Sequence, residues 1–395
     1  MNAFSSRLPE ALGPNALTRA VARLRDAGVA WLDLTETNPT VVGLPYPTGL
    51  LQPLAGEAGL TYAPDSTGLA SARAAVAAEY ARRGVRLTSD RVVLTASTSE
   101  AYAWLFKLLC DPGDAVLVPQ PSYPLFDLLT SLEAVGAQPY RLEYHGQWGI
   151  DRESLLAALT PRSKAVLVVA PNNPTGSMLR ADDRTWLWKV CSQRGLAIIA
   201  DEVFADYPLC RRGDAVSAMG DAPVLTFSLG GLSKSAGLPQ LKLGWIALDG
   251  PAPAVESARQ RLELIADTYL SVSTPVQLSA ARLIESGRAV RDAIASRLAR
   301  NLQQLRSAAA GHPALSLLEP EGGWSAVLRV PAVESEEALV LRLLQDAHVL
   351  VHPGYFFDFP TEAFLVISLL PESAVFATAI DRVVASIAFS SGAGR

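Results

Sequence analysis

The sequence predicts an α/β fold in which helices sandwich a mostly parallel β-sheet. Short apolar runs rich in β-branched residues alternate with helical patterns between residues 68 and 250. Most of these runs are continuously apolar, which is typical of strands that helices cover on both faces. The alternation favours parallel strands joined by crossover helices. The predicted strands span residues 91–97, 115–121, 164–171, 196–203, 224–229 and 241–248.

The pattern of elements changes towards the C-terminus. Residues 253–310 have long helical patterns, and the tail then alternates strand, helix, strand and helix, which indicates a second, smaller α+β domain. We expect an N-terminal segment (1–45) that packs with the small domain, a large domain (46–290) and a small C-terminal domain (291–395). The other predicted helices span residues 99–110, 124–135, 151–159, 180–194, 335–347 and 372–388.

Composition excludes several classes of protein. Hydrophobic residues make up 49% of the chain, so it can bury a core and is not expected to be disordered. The net charge is −5 and no basic run is present, so nucleic acid is not an expected partner. Three scattered cysteines form no zinc-binding pattern. With no signal core and no membrane-length apolar run, we expect a soluble, cytoplasmic protein.

In sheets of this kind, ligands bind beyond the carboxyl ends of the strands, so the loops that follow the strands are expected to carry the site. After the first strand, Ser97, Thr98 and Ser99 begin a helix, where free amides and the helix dipole attract anions. A plain helix N-cap explains the same residues. Tyr123 follows the second strand and could stack on a planar ligand, although packing is the commoner role for an aromatic residue.

Three further loops carry polar side chains. Asn173 lies in a turn, PNNPTG, and Asp201 lies at the end of an apolar strand, where a cap or salt bridge is the simpler explanation. Lys234 lies among small residues after the fifth strand, where desolvation would make its amine nucleophilic, although a lone lysine is usually solvated. Together, these residues describe a site for an anionic aromatic aldehyde that forms a Schiff base. Pyridoxal 5′-phosphate (PLP) is such a molecule.

The sequence resembles the class I and II aminotransferases of PLP fold type I, the aspartate aminotransferase-like enzymes, over residues 30 to 390. The resemblance implies a large and a small domain, with PLP buried between them and a partner subunit. The departures described below mark a divergent member. The matching motifs, in order, are YAPDSTGLASAR, LTASTSEA, DPGDAVLVPQPSYP, APNNPTG, DEVFADY, SLGGLSKSAGLPQLKLGW and VHPGYFFDF.

The resemblance also implies a role for each matched residue around the PLP ring. Lys234 forms the Schiff base (the internal aldimine) and moves the proton at the substrate's α-carbon. Asp201 pairs with the pyridine nitrogen and keeps it protonated. Asn173 bonds the phenolic oxygen of the ring and contacts the substrate, and Tyr123 stacks on the ring.

The phosphate group of PLP is expected at the start of the helix that follows the first strand. The amides of Thr98 and Ser99 hold it, together with Ser233 and the positive charge of Lys242. Tyr62 reaches the phosphate of the neighbouring subunit, so the resemblance implies a homodimer.

Several positions depart from the family pattern. Lys242 replaces an arginine that grips the phosphate with two hydrogen bonds, and Gly231 replaces a serine or threonine. Val366 lies thirteen residues after Pro353, where the family has the arginine that binds the substrate's α-carboxylate. Three explanations are open. Another cation such as Arg329 binds the carboxylate instead, the substrate lacks a free α-carboxylate, or the alignment with the family is shifted locally. We favour an altered carboxylate site.

The expected function is transfer of an amino group between an amino acid or amine and a 2-oxo acid. Asn38 replaces a family glycine near the substrate and could bind the substrate's carboxylate or carbonyl, although an Asn-Pro turn explains it equally well. The missing arginine leaves open a fold type I lyase, decarboxylase or biosynthetic cyclase. A PLP-binding regulator is disfavoured because no basic helix-turn-helix pattern precedes the family match.

Phe204 generates a spectroscopic prediction, because it replaces the family tyrosine that donates a hydrogen bond to the phenolic oxygen of PLP. That donor favours the deprotonated Schiff base, so its loss should raise the Schiff-base pKa. We expect the visible absorbance at neutral pH to be that of the protonated form. A pH titration that gives a Schiff-base pKa well below neutrality would contradict this expectation.

Overall fold

The structure, a computed structural model, describes residues 4–10, 12–210 and 214–392. Its strands are β1 (Leu32–Asp33), β2 (Val92–Thr95), β3 (Ala115–Gln120), β4 (Gly136–Tyr144), β5 (Trp148–Ile150), β6 (Ser163–Val169), β7 (Ala197–Asp201), β8 (Thr226–Gly231), β9 (Gly244–Asp249), β10 (Ser316–Leu318), β11 (Ser325–Arg329), β12 (Val349–Leu350), β13 (His352–Pro353) and β14 (Phe364–Ser368). Its α-helices are α1 (Ala16–Asp26), α2 (Ala70–Arg82), α3 (Thr98–Leu109), α4 (Phe126–Leu132), α5 (Arg152–Ala158), α6 (Ala181–Arg194), α7 (Leu232–Ser235), α8 (Ala252–Tyr269), α9 (Thr274–Ala310), α10 (Glu336–Asp346) and α11 (Ser373–Gly392).

A sheet of eight strands lies at the centre, in the order β2-β9-β8-β7-β6-β3-β4-β5. Strands β8, β7, β6, β3 and β4 run parallel, whereas β9 and β5 run antiparallel to their neighbours. This arrangement confirms the predicted fold class, and each of the six predicted strands is present. Strands β4 and β5 were not predicted, because β4 lies near the sheet edge and mixes exposed with buried residues instead of forming an apolar run.

Helices cover both faces of this sheet, as the continuously apolar strands require. On β6 and β7, Leu167 and Ile199 pack on the face covered by α3 and α8. Their sequence neighbours Val166 and Ile198 pack on the opposite face with α5 and α6. Because side chains alternate along a strand, each strand needs an apolar residue at every position to fill both layers.

A second sheet, β10-β11-β14-β13, is antiparallel, and β1 pairs with β12 in a separate two-stranded parallel sheet. The pairing of β1 with β12 joins the N-terminal segment to the C-terminal part of the chain. The predicted domain boundary at residue 290 falls within α9, whose first half packs beside the large sheet and whose second half packs on the small one. The division into domains stays a prediction. Although α9 has 37 residues, no helix in the described ranges is long and apolar enough to cross a membrane.

Asn301 of α9 generates a stability prediction, because its fully buried side chain ties this helix to the C-terminal segment. Its Nδ2 donates to the carbonyls of Leu369 (2.9 Å) and Pro371 (2.8 Å). Asn301→Ala leaves both carbonyls without this donor, so the free energy of unfolding should fall by about 2–4 kcal/mol. Urea unfolding measures the change, and Gln303→Ala, on the exposed face of the same helix, should change it by less than about 0.5 kcal/mol. A loss of stability equal to that of the control would contradict the assignment.

Candidate active site

A cavity of about 350 Å³ opens beyond the carboxyl ends of the parallel strands. Strands β7 and β8 are neighbours in the sheet, and both lead into it: Asp201 is the last residue of β7, and Lys234 lies in the one-turn helix α7 directly after β8. Both residues line the cavity. The sheet topology therefore brings together a carboxylate and an amine that lie 33 positions apart in the chain.

Asp201 is a buried carboxylate with two hydrogen-bond donors. The hydroxyl of Tyr102 donates to its Oδ2 (2.8 Å), and the backbone amide of Val203 donates to its Oδ1 (3.1 Å). Burial raises the pKa of Asp201, whereas these two bonds and the charge of Lys234 lower it. A cation that bound this carboxylate from the cavity side would offset the remaining free-energy cost of its burial.

Lys234 is a desolvated amine. Its Nζ lies 4.6 Å from the ring centre of Trp324 and 5.3 Å from that of Phe204, and it makes no hydrogen bond or ion pair with any described residue. Burial lowers the pKa of Lys234 to about 8, with Asp201 opposing the shift. The backbone of Lys234 is fixed by a hydrogen bond, since the Tyr207 hydroxyl donates to its carbonyl (2.5 Å). About a tenth of this amine is therefore an uncharged nucleophile at pH 7, far more than for an ordinary lysine.

The first turn of α3 lines the same cavity. Ser97 is the N-cap, and its Oγ accepts from the amide of Glu100 (3.2 Å). The amides of Thr98 and Ser99 have no partner within the helix, and both residues line the cavity. Strand β9 passes close by, because a Cβ at Gly244 would lie 3.1 Å from the carbonyl carbon of Ser97. The turn therefore presents free amides to an anion in a confined space.

Asn173 and Tyr123 lie on two neighbouring loops of the cavity wall. The Oδ1 of Asn173 accepts from the hydroxyl of Ser325 (3.2 Å), which leaves its Nδ2 to donate into the cavity. The loops are joined by Asn172, whose Nδ2 donates to the Oγ of Ser122 (3.1 Å). Tyr123 is 46% exposed, so its ring is available to a ligand.

Three predicted site residues do not line this cavity, whereas Ser233 does. Lys242 is exposed and follows the 3₁₀ turn at 239–241. Tyr62 is 75% exposed on another surface. Asn38 is exposed, and its Oδ1 accepts from the amide (3.0 Å) and hydroxyl (2.7 Å) of Thr40, as an Asn-Pro turn predicts.

Several cavity residues were not singled out from the sequence. Tyr102 could have been found, because it lies four residues after Thr98 and therefore on the same face of α3. Trp324, Ser325 and Thr37 reach the cavity only through tertiary contacts, so no local pattern indicates them. No group of three or more His, Cys, Asp or Glu side chains that could hold a metal ion occurs in the part of the chain that the structure describes.

Comparison with known proteins agrees with this geometry. Residues 54–383 match the sequence model of the family described as aminotransferase class I and II. An alanine aminotransferase of Mycobacterium tuberculosis is 30% identical over 373 residues, covering 91% of this chain and 86% of that protein. The glutamate–pyruvate aminotransferase AlaA of Escherichia coli is 28% identical over 361 residues, or 88% of each protein. The crystal structure of an aminotransferase from Escherichia coli has a TM-score of 0.86, 25% identity and 98% coverage of both chains.

The chain therefore belongs to the class I and II aminotransferase family. It has the PLP fold type I and is an aminotransferase, an enzyme that transfers nitrogenous groups.

The depressed pKa of Lys234 generates a prediction for the cofactor-free protein. Capture of PLP by the Lys234 amine, trapped with borohydride and read by peptide mass spectrometry, should rise with pH to a midpoint near 8, because only the free base reacts. Asp201→Asn removes the charge that raises this pKa, so the midpoint should fall. Exposed Lys189 is the internal control for labelling outside the cavity. A Lys234 midpoint at the ordinary value for a lysine, about 10.4, would contradict the assignment.

Proposed function

We propose that this aminotransferase binds PLP in the cavity, with Lys234 as its covalent attachment point. The observation that carries the proposal is the unpaired, desolvated amine of Lys234 in one cavity with buried Asp201 and the free amides of α3. The class I and II aminotransferases as a family use PLP. When bound, PLP supplies an electrophilic carbonyl carbon and an electron-withdrawing ring.

The polar residues of the cavity have separate tasks in this proposal. Asp201 keeps a proton on the ring nitrogen, which fits a buried carboxylate that lacks a fixed cation. The amides of Thr98 and Ser99, with Ser233, bind the phosphate. The free Nδ2 of Asn173 donates to the phenolic oxygen, and Tyr123 stacks on the ring.

Lys234 also moves the proton at the amino-bearing carbon of the substrate. A pKa of about 8 supports this role, because a general base works best when its pKa lies near the working pH. The rings of Phe204 and Trp324, which pack on each other beside the amine, shield it from water.

We propose a cytoplasmic homodimer in which Tyr62 reaches the phosphate of the partner. Tyr62 is 75% exposed, and apolar Leu60 (89%) and Tyr269 (48%) are exposed in the same region of the surface. This surface adjoins α3, because Tyr62 and Trp104 line one recess. Lys242 is proposed as a positive charge for the phosphate, supported by its position three residues after the cavity-lining Pro239.

The substrates proposed are an amino acid or amine as the donor and a 2-oxo acid as the acceptor. The alanine and glutamate–pyruvate aminotransferases that resemble this chain support that class. Asn173 and Asn38, the latter next to the cavity-lining Thr37, are proposed to contact the substrate. The alternative is a lyase, decarboxylase or cyclase reaction at the same site, favoured by Val366 in place of the carboxylate-binding arginine.

The proposal is tested by the visible spectrum of the PLP-loaded protein. A donor should convert its absorbance to that of the pyridoxamine form, and a 2-oxo acid should restore it. Lys234→Ala should lack the original band and lose activity by more than about 10³-fold, because the covalent attachment and the base are both removed. Exposed Lys189→Ala should behave as the wild type. Turnover by Lys234→Ala would overturn the proposal, whereas release of ammonia or carbon dioxide without the spectral change would favour the alternative.

A further inference from the structure

Val366 lies on the strand face that leads into the cavity. In the small sheet it pairs with Val327, and two residues further along these strands Ser325 pairs with Ser368. Paired residues and residues two apart lie on one face of a sheet. Ser325 lines the cavity, so Val366 lies on the same face, two positions from the cavity wall.

Around Val366 this face is apolar. The side chain is 3% exposed and belongs to a cluster of large buried residues that we call the apolar wall. The wall touches the cavity loops, because the amide of Ser122, next to cavity-lining Tyr123, donates to the carbonyl of Phe357 (3.0 Å). The apolar wall consists of Trp148, Leu318, Val327, Phe357, Phe359 and Val366.

None of the described cations around this wall is placed and unengaged so as to bind a substrate carboxylate in the cavity. Arg329 follows Val327 on the same strand face but is exposed, about 13 Å along the strand from Ser325. Arg180 donates to the carbonyl of Trp148 (2.5 Å) and lies near the carboxylates of Asp214 and Glu321. His352, which pairs with Val366, has its pKa lowered by burial and packs against the rings of Phe356 and Phe357.

Within the described lining of the cavity, Lys234 is the sole cation, and it is committed to the chemistry. Apart from the neutral polar residues and Asp201, the remaining lining is apolar or glycine. A carboxylate buried there would lose its hydration without gaining the charge-assisted bonds that an arginine supplies. An apolar group would instead gain by its transfer from water. The apolar lining residues are Leu125, Phe126, Leu129, Val169, Val203, Phe204, Pro239, Leu243 and Trp324.

We infer that the amino donor is a primary amine that bears an apolar or aromatic group and no carboxylate on its amino-bearing carbon. This inference rests on the proposed PLP-dependent function. The donor's C–N bond is replaced by a C=O bond whose oxygen comes from water, so an amine R–CH₂–NH₂ leaves as the aldehyde R–CHO. The amino group stays with the cofactor until a carbonyl acceptor takes it by the same steps in reverse, so no external oxidant is needed.

Matched donors test the inference on the wild-type PLP-loaded enzyme. Phenylethylamine and phenylalanine differ only in the α-carboxylate, as do ethylamine and alanine. Stopped-flow absorbance gives the second-order rate constant for conversion to the pyridoxamine form. We expect the aromatic amine to react about tenfold or more faster than phenylalanine, and faster than ethylamine, since the apolar residues that line the cavity favour apolar groups.

Each outcome separates the inference from the proposed function. Faster conversion by phenylalanine and alanine than by the matched amines would overturn the inference and leave the proposed function intact. Failure of every donor, with the Lys234-dependent absorbance present, would overturn both.

Two variants at Val366 test whether this position determines the choice between amines and amino acids. Val366→Arg places a guanidinium on the cavity-facing side of β14 and should move the phenylalanine-to-phenylethylamine rate ratio towards the amino acid by about tenfold or more. Val366→Leu keeps the wall apolar and should leave the ratio within about threefold. An unchanged ratio in a folded, PLP-loaded Val366→Arg enzyme would overturn the inference. If that variant does not fold, the wild-type donor ratios decide.

Discussion

Burial of an amine and a carboxylate in one cavity is the constraint on which this structure depends. Desolvation opposes the charged forms of both Lys234 and Asp201, and it shifts their pKa values towards each other. The hydrogen-bond environments of the two residues differ. It gives the carboxylate two donors, from Tyr102 and Val203, and leaves the amine without a partner. The result is an anion that stays in place and an amine that is free to react.

The parallel sheet makes this arrangement possible and holds it. Neighbouring strands β7 and β8 deliver the two groups to one edge, and the residues beside them are fixed by buried polar contacts. Glu202, next to Asp201, accepts from the hydroxyls of Ser217 (2.6 Å) and Ser228 (2.7 Å). The carbonyl of Lys234 accepts from Tyr207, whose ring packs on Trp324. The large sheet and the C-terminal unit therefore both hold the reactive lysine in position.

The cavity and the strand face beside it differ in chemistry. Next to α3 and Asp201 the cavity has free amides and a carboxylate, at positions that follow the family pattern. The face of β11 and β14 around Val366 is buried and apolar where the family pattern has an arginine. In the proposed function, the cofactor contacts lie mainly at positions that follow the family pattern, so the position of Val366 can diverge while they are retained. The chain therefore belongs to the family although Val366 stands where the family pattern has an arginine.

The sequence by itself determined the parallel sheet and the residues at the strand ends, including Asp201 and Lys234. Continuous apolar runs and the loops that follow them are local patterns, so one stretch of sequence predicts both a strand and the residue at its end. Only the tertiary structure decided the partners of those residues. Tyr102 reaches Asp201 across 99 positions, and Trp324 meets Lys234 from the small sheet. The apolar surroundings of Val366 also come from four other segments, because burial is a property of contacts between elements and not of any one stretch of chain.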